Sequence, residues 1–65
     1  MKLVEFKNSK GKTIYINPEQ VESVETLIDG IVCVNMAITD GGSDTVFHHV
    51  CGSIEEVVQK LRNAR

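Results

Sequence analysis

Hydrophobic and polar positions alternate along most of this chain and change to a helical spacing only near its end. From Lys2 to Lys7, Val4 and Phe6 fall on one side and Leu3, Glu5 and Lys7 on the other, the period-two pattern of a half-buried strand. Asn8 to Lys12 is a polar turn, and Thr13-Ile14-Tyr15-Ile16-Asn17 returns with Ile14 and Ile16 together, which predicts a first hairpin. Asn17-Pro18-Glu19-Gln20 combines an N-cap residue, a proline at the first helical position and an acidic residue after it. The run predicts one turn of 3₁₀ type over 18–21. A third strand is expected over 22–29, with Val24, Thr26 and Ile28 on one side, and Asp29-Gly30 is a two-residue turn signal leading into a fourth strand over 31–38. The Gly, Asp and Ser cluster from Asp40 to Asp44 then separates it from a fifth strand over 45–51.

Beyond Gly52 the period changes. Ser53-Ile54-Glu55-Glu56 has the residues of a capping box, and Ile54, Val57, Val58 and Leu61 follow at helical spacing, so a helix is expected over 54–64. Glu56 and Lys60 stand as an i,i+4 pair, and Arg62 and Arg65 suit the negative end of the helix dipole. The order of elements predicts an α+β fold: a five-stranded antiparallel meander with one C-terminal helix packed on one face. No repeat or linker divides the chain, so residues 1–65 read as one domain. The fourth strand is apolar on both sides, with Val32, Val34, Met36 and Ile38 on one and Ile31, Cys33 and Ala37 on the other. A single short helix cannot cover both, so barrel curvature or another subunit is expected to cover the second face, and a homo-oligomer is the expected state.

Size points the same way. A chain of 65 residues buries only about 60% of the surface its unfolded form exposes, and domains this small are commonly stapled or oligomeric. Two cysteines and a charged, alternating start, Met-Lys-Leu-Val-Glu-Phe-Lys, argue for free thiols in a reducing compartment and against a signal segment or a membrane span. The expectation is a cytoplasmic protein with no membrane association. A net charge of -2 gives no long-range attraction for a polyanion, which argues against nucleic acid as a partner.

The residues with chemical potential sit on the last hairpin, which holds both cysteines and both histidines. Alternation places Phe47, His49 and Cys51 on one side of the fifth strand and Val46, His48 and Val50 on the other, so the two histidines cannot grip one metal from the same strand. A three-residue closure at Gly41–Ser43 sets Cys33 opposite Cys51 and gathers Cys33, His49 and Cys51 as a candidate metal set, whereas a two-residue turn at Gly41-Gly42 sets Cys33 opposite Val50. Asn35 is the nearest second partner on that side, and it is weaker than a carboxylate. The preferred reading is two buried apolar thiols and two partly exposed histidines, with no metal and no cofactor. Asp40, Gly41, Gly42 and Asp44, with Phe47 and His49, form the candidate ligand-binding set, although the loop lacks the lysine and following helix of a phosphate-binding loop. Glu19, Glu22, Glu25 and Asp29 make an acidic stripe. His49 beside Cys51 is the nearest thing to a nucleophile and base, but the sequence assures no neighbouring Asp or Asn to orient the pair and the chain is too small for a deep cleft, so no enzyme is expected.

The succession Gly-Lys-Thr-Ile-Tyr-Ile-Asn-Pro-Glu-Gln-Val-Glu-Ser-Val-Glu at 11–25, with Ser-Ile-Glu-Glu-Val-Val-Gln-Lys-Leu at 53–61, resembles the small flagellar and swarming-motility FlbD-type proteins and similar short bacterial or phage chains. That resemblance implies an interaction or regulatory module and supplies no catalytic residues. Asp29-Gly30, the apolar strand after it and Asp44-Thr45-Val46-Phe47-His48-His49 are similar to a stretch of the tryptophan-activated RNA-binding attenuation proteins, all-β rings that bind an amino acid between subunits. This second resemblance implies small ligands or RNA held between protomers. The leading expectation is a non-catalytic oligomeric interaction or regulatory module with a protein partner. The alternatives are an oligomer binding an amino acid, a nucleotide or RNA between subunits, and a small metal-binding protein using Cys33, His49 and Cys51.

Overall fold

The computed structural model describes residues 2–39 and 45–64. It has five antiparallel strands and one terminal helix: β1 (Val4–Lys7), β2 (Thr13–Ile16), a 3₁₀ turn (Pro18–Gln20), β3 (Val21–Ile28), β4 (Ile31–Thr39), β5 (Thr45–Cys51) and α1 (Ile54–Asn63). The α+β architecture is the one the patterning predicts. The strands divide into a two-stranded sheet, β1-β2, and a three-stranded sheet, β3-β4-β5. The division falls at the 3₁₀ turn, where Asn17 accepts from the Glu19 N–H through its side chain and the buried Pro18 has no N–H to give a ladder.

The two sheets meet at the first turn. Asn8 organises that turn by accepting from the Lys10 and Lys12 N–H groups at 3.0 and 2.9 Å, and Gly11 closes it at φ +82°. Asn8 then bridges to Val50, the Ser9 N–H donates to the His49 carbonyl at 3.0 Å, and the Cys51 thiol donates to the Asn8 carbonyl at 3.3 Å. The barrel curvature that would close the sheet goes no further than this. Val4, Phe6 and Ile16 from the first sheet, Val32, Val34, Met36 and Val50 from the second, and Val57 and Leu61 from α1 share one core.

Three register shifts interrupt the second sheet, at Val21/Ser23, Thr26/Ile28 and Asn35/Thr39, and the last two set which side chains reach its other face. Asp29-Gly30 makes the expected tight turn, with Gly30 at φ +85° and Ile28 paired to Ile31. A bulge between Thr26 and Ile28, however, inserts Leu27 as an extra residue, so Thr26 pairs with Val32 on the core side while Ile28 goes to the opposite face. The expectation that Val24, Thr26 and Ile28 share a side therefore fails at Ile28. In the last hairpin, Thr39 pairs with Thr45 and Asn35 with Phe47, while the closure itself, expected at Gly41–Ser43 or Gly41-Gly42, lies outside the described residues. Between those pairs β4 runs through three residues, 36–38, while β5 runs through Val46 alone. A surplus of two residues moves every partner by two without exchanging faces. Cys33 consequently faces His49, and Ile31 faces Cys51, so neither of the two expected registers holds along the strands.

At the C-terminus the capping box forms as read: the Glu56 N–H donates to Ser53 Oγ at 3.2 Å, and the Ser53 N–H donates to Glu56 Oε1 at 3.1 Å. Lys60 extends across to the first sheet, where its ammonium donates to the Glu5 carbonyl and lies 4.6 Å from the centre of the Phe6 ring. This tie connects the helix to β1, and Val57 and Leu61 of the helix share the core with Val4 and Phe6. No helix among the described residues is long and apolar enough to cross a membrane.

Two outcomes follow for stability. Ile16 is buried with 1% of its surface exposed, so Ile16→Ala should cost about 2–5 kcal/mol in urea unfolding, while Leu3→Ala, at a half-exposed site, should cost far less. The Ser53 backbone and side-chain hydrogen bonds, with a smaller contribution from Lys60, hold the Glu56 carboxyl below its usual range. A depressed folded-state pKa contributes stability above the unfolded-state value and loses it as pH falls through the folded-state value. Urea midpoints of the parent chain should therefore fall more than those of Glu56→Gln as pH drops through the carboxylate range, and equal slopes would contradict this role.

Candidate functional site

The strand alternation of β3, β4 and β5 leaves a second face turned away from the core. Its columns are Ser23, Glu25 and Ile28 on β3, Asn35, Cys33 and Ile31 on β4, and Phe47, His49 and Cys51 on β5, each row in cross-strand register. Among the described residues, no strand or helix lies over this outer face. Ile28 is 62% and Phe47 57% exposed, whereas Cys33 at the centre is buried by its neighbours.

The polar groups on the face are joined. Asn35 Nδ2 donates to Ser23 Oγ at 3.1 Å and to Glu25 Oε1 at 3.3 Å, while Asn35 Oδ1 accepts from the Cys33 thiol at 3.7 Å. Asn35 thus bonds across to β3, the two ring planes of Phe47 and His49 pack on β5 with centroids 5.2 Å apart and tilted by 38°, and Cys33 sits between. Burial, with a smaller contribution from the Glu25 carboxylate, pushes the Cys33 thiol up. That direction is opposite to the one an activated nucleophile requires.

The residues read from the sequence are partly united here. Phe47 and His49 are neighbours on the outer face, but Asp40, Gly41, Gly42 and Asp44 lie outside the described residues, so the ligand-binding set is seen only through its two aromatic members. Cys33 and His49 face one another directly, while Cys51 stands one row away, opposite Ile31. Cys51 is exposed, which corrects the expectation of two buried thiols, because it lies at the end of β5 and gives its S–H to the Asn8 carbonyl. Among the described residues, no group of three His, Cys, Asp or Glu side chains is placed to hold a metal ion. His48 points the other way, opposite Val34 on the core side, and both histidines are half-buried.

Two features escape a reading of the pattern alone. Ile28 joins the outer face only because of the bulge at Leu27, and no residue type announces that insertion. A separate open groove of about 340 Å³ lies where the start of β3 meets α1, with Val21, Val24, Val58 and Leu61 as its apolar floor and Glu22 and Arg62 beside them. The helical spacing of Val58 marks it as apolar but not as the wall of a groove.

Thiol chemistry separates the two cysteines. In the native protein one thiol, that of Cys51, should react promptly with a water-soluble disulfide reagent, and the second should react only slowly until denaturant is added. Cys51→Ala should abolish the fast phase and Cys33→Ala should leave it intact; two equally fast thiols would contradict the buried placement of Cys33.

Comparison of the chain with protein-family models, with curated proteins and with solved structures gave no match.

Proposed function

We propose that this chain is a non-catalytic interaction module that works as a homo-oligomer, with the outer face of the β3-β4-β5 sheet as its contact surface. The observation that carries this reading is the exposure of Phe47 and Ile28 around the buried Cys33, on a sheet face that no described element covers. A large apolar side chain left singly in water is ordinary, but a contiguous apolar patch on a small domain marks a contact site. Protein interfaces have such apolar centres with polar groups around them, and the Ser23, Asn35 and Glu25 network supplies satisfied polar groups beside the apolar ones.

The chemistry of the face supports binding over catalysis. Cys33 and His49 form the nearest couple to a nucleophile and base, yet the thiol is shifted towards its protonated form and the face is an open surface rather than a cleft. Free thiols at Cys33 and Cys51 fit a reducing compartment, so we place the module in the cytoplasm.

Static light scattering at micromolar concentration should give a mass above that of one chain. Phe47→Ser should move dissociation to higher protein concentration while circular dichroism stays unchanged. A mass of one chain for the parent protein, with the fold intact, would overturn the reading.

A further inference from the structure

Charge is segregated along this chain. Lys2, Lys7, Lys10 and Lys12 stand against Glu5 alone at the start, whereas Glu19, Glu22, Glu25 and Asp29 follow with no lysine or arginine until Lys60. The fold converts that segregation into a gradient across the outer face. β3 forms one border, where Glu22 and Glu25 are exposed. The opposite border is the turn that carries Lys10 and Lys12, held against β5 by the Asn8 bridge to Val50 and the Ser9 N–H on the His49 carbonyl. His49 is the cross-strand partner of Cys33, and Cys33 that of Glu25. A single row therefore runs from Glu25 through Cys33 and His49 to the lysine turn, with opposite charges at its two ends.

We propose that a second copy of this chain docks on the outer face about a two-fold axis parallel to β4, so that the acidic border of each copy lies over the lysine turn of the other. The inference rests on the self-association read above and adds its geometry. Rotation about an axis parallel to the strands exchanges the two borders and keeps the rows level, so the Glu25 border meets the lysine turn twice, once on each side of the apolar centre. An axis running across the strands would instead set acidic border over acidic border and lysine turn over lysine turn. Like charges brought together in this way disfavour the contact, so the charge pattern selects the first arrangement. The two sheets then stack with nearly aligned strands, the ordinary packing of twisted sheets face to face. Each interface has Cys33 at its centre, Ile31 beside it along β4, Phe47 and Ile28 at opposite corners and a charged rim, the usual anatomy of a specific contact.

The test uses two charge-reversed chains, Lys10→Glu with Lys12→Glu and, separately, Glu22→Lys with Glu25→Lys, each checked for folding by circular dichroism. Light scattering should give two chains for the parent, one chain for each variant alone, and two chains again for their equimolar mixture, because the reversed borders complement each other. Variants that keep the parent mass, or a mixture that stays at one chain, would overturn the charged arrangement while leaving self-association in place. A parent mass above two chains would overturn the two-fold closure, and a parent mass of one chain would overturn both this inference and the reading beneath it. Should either variant fail to fold, titration of the parent with sodium chloride decides: the dimer should dissociate more readily as salt rises, and a salt-independent dissociation constant would overturn the proposal.

Discussion

The rest of the structure depends on a mismatch between β4 and what the chain has available to cover it. Val32, Val34 and Met36 need burial on one side of this strand, and α1 with the first hairpin supplies it through Val57, Leu61, Val4, Phe6 and Ile16. Ile31 and Cys33 stand on the other side, and the chain has no further element among the described residues to lay over them. A 65-residue domain has little apolar surface to spare, so an uncovered face that keeps Ile28 and Phe47 in water is a departure from the usual arrangement.

Local chemistry holds the covered side firmly. The capping box fixes where α1 begins, and Lys60 reaches from the helix to the Glu5 carbonyl and the Phe6 ring. Asn8 ties the first turn to β5 through the backbone, so the two small sheets share a core without forming a closed barrel. The same turn carries Lys10 and Lys12 and lies along the β5 edge of the β3-β4-β5 sheet. One structural connection thus joins the two sheets and underlies the proposed charge gradient.

Most of the architecture was legible in the sequence because it rests on short-range patterns. Alternation placed Val4 and Phe6 inward and Leu3 outward, Asp29-Gly30 marked its turn, and Ser53 to Glu56 announced the helix. The pair Glu56 and Lys60 is legible as an attraction of opposite charges, which contributes to holding the Glu56 carboxyl low, but not in its hydrogen bonds, since Glu56 is engaged by Ser53 and the Lys60 ammonium donates to the Glu5 carbonyl. What the pattern could not supply was register. The bulge at Leu27 and the surplus residues between Asn35 and Thr39 depend on how the strands twist together, and they decide that Ile28 faces outward and that Cys33 meets His49 rather than Cys51 or Val50. Cys51 departs from the expected burial for a related reason: its apolar character argues for burial, but its place at the strand end leaves it in water beside Asn8.

The central claim, that the outer face of the β3-β4-β5 sheet is a contact surface, is tested most directly by nuclear magnetic resonance of labelled protein on dilution through the micromolar range. Dilution should give concentration-dependent shifts for Ile28, Ile31, Cys33, Asn35, Phe47 and His49, with little change at Val32, Val34 and Val50 on the core side. Spectra that do not change with dilution, accompanied by the tumbling rate of a single chain, would contradict it.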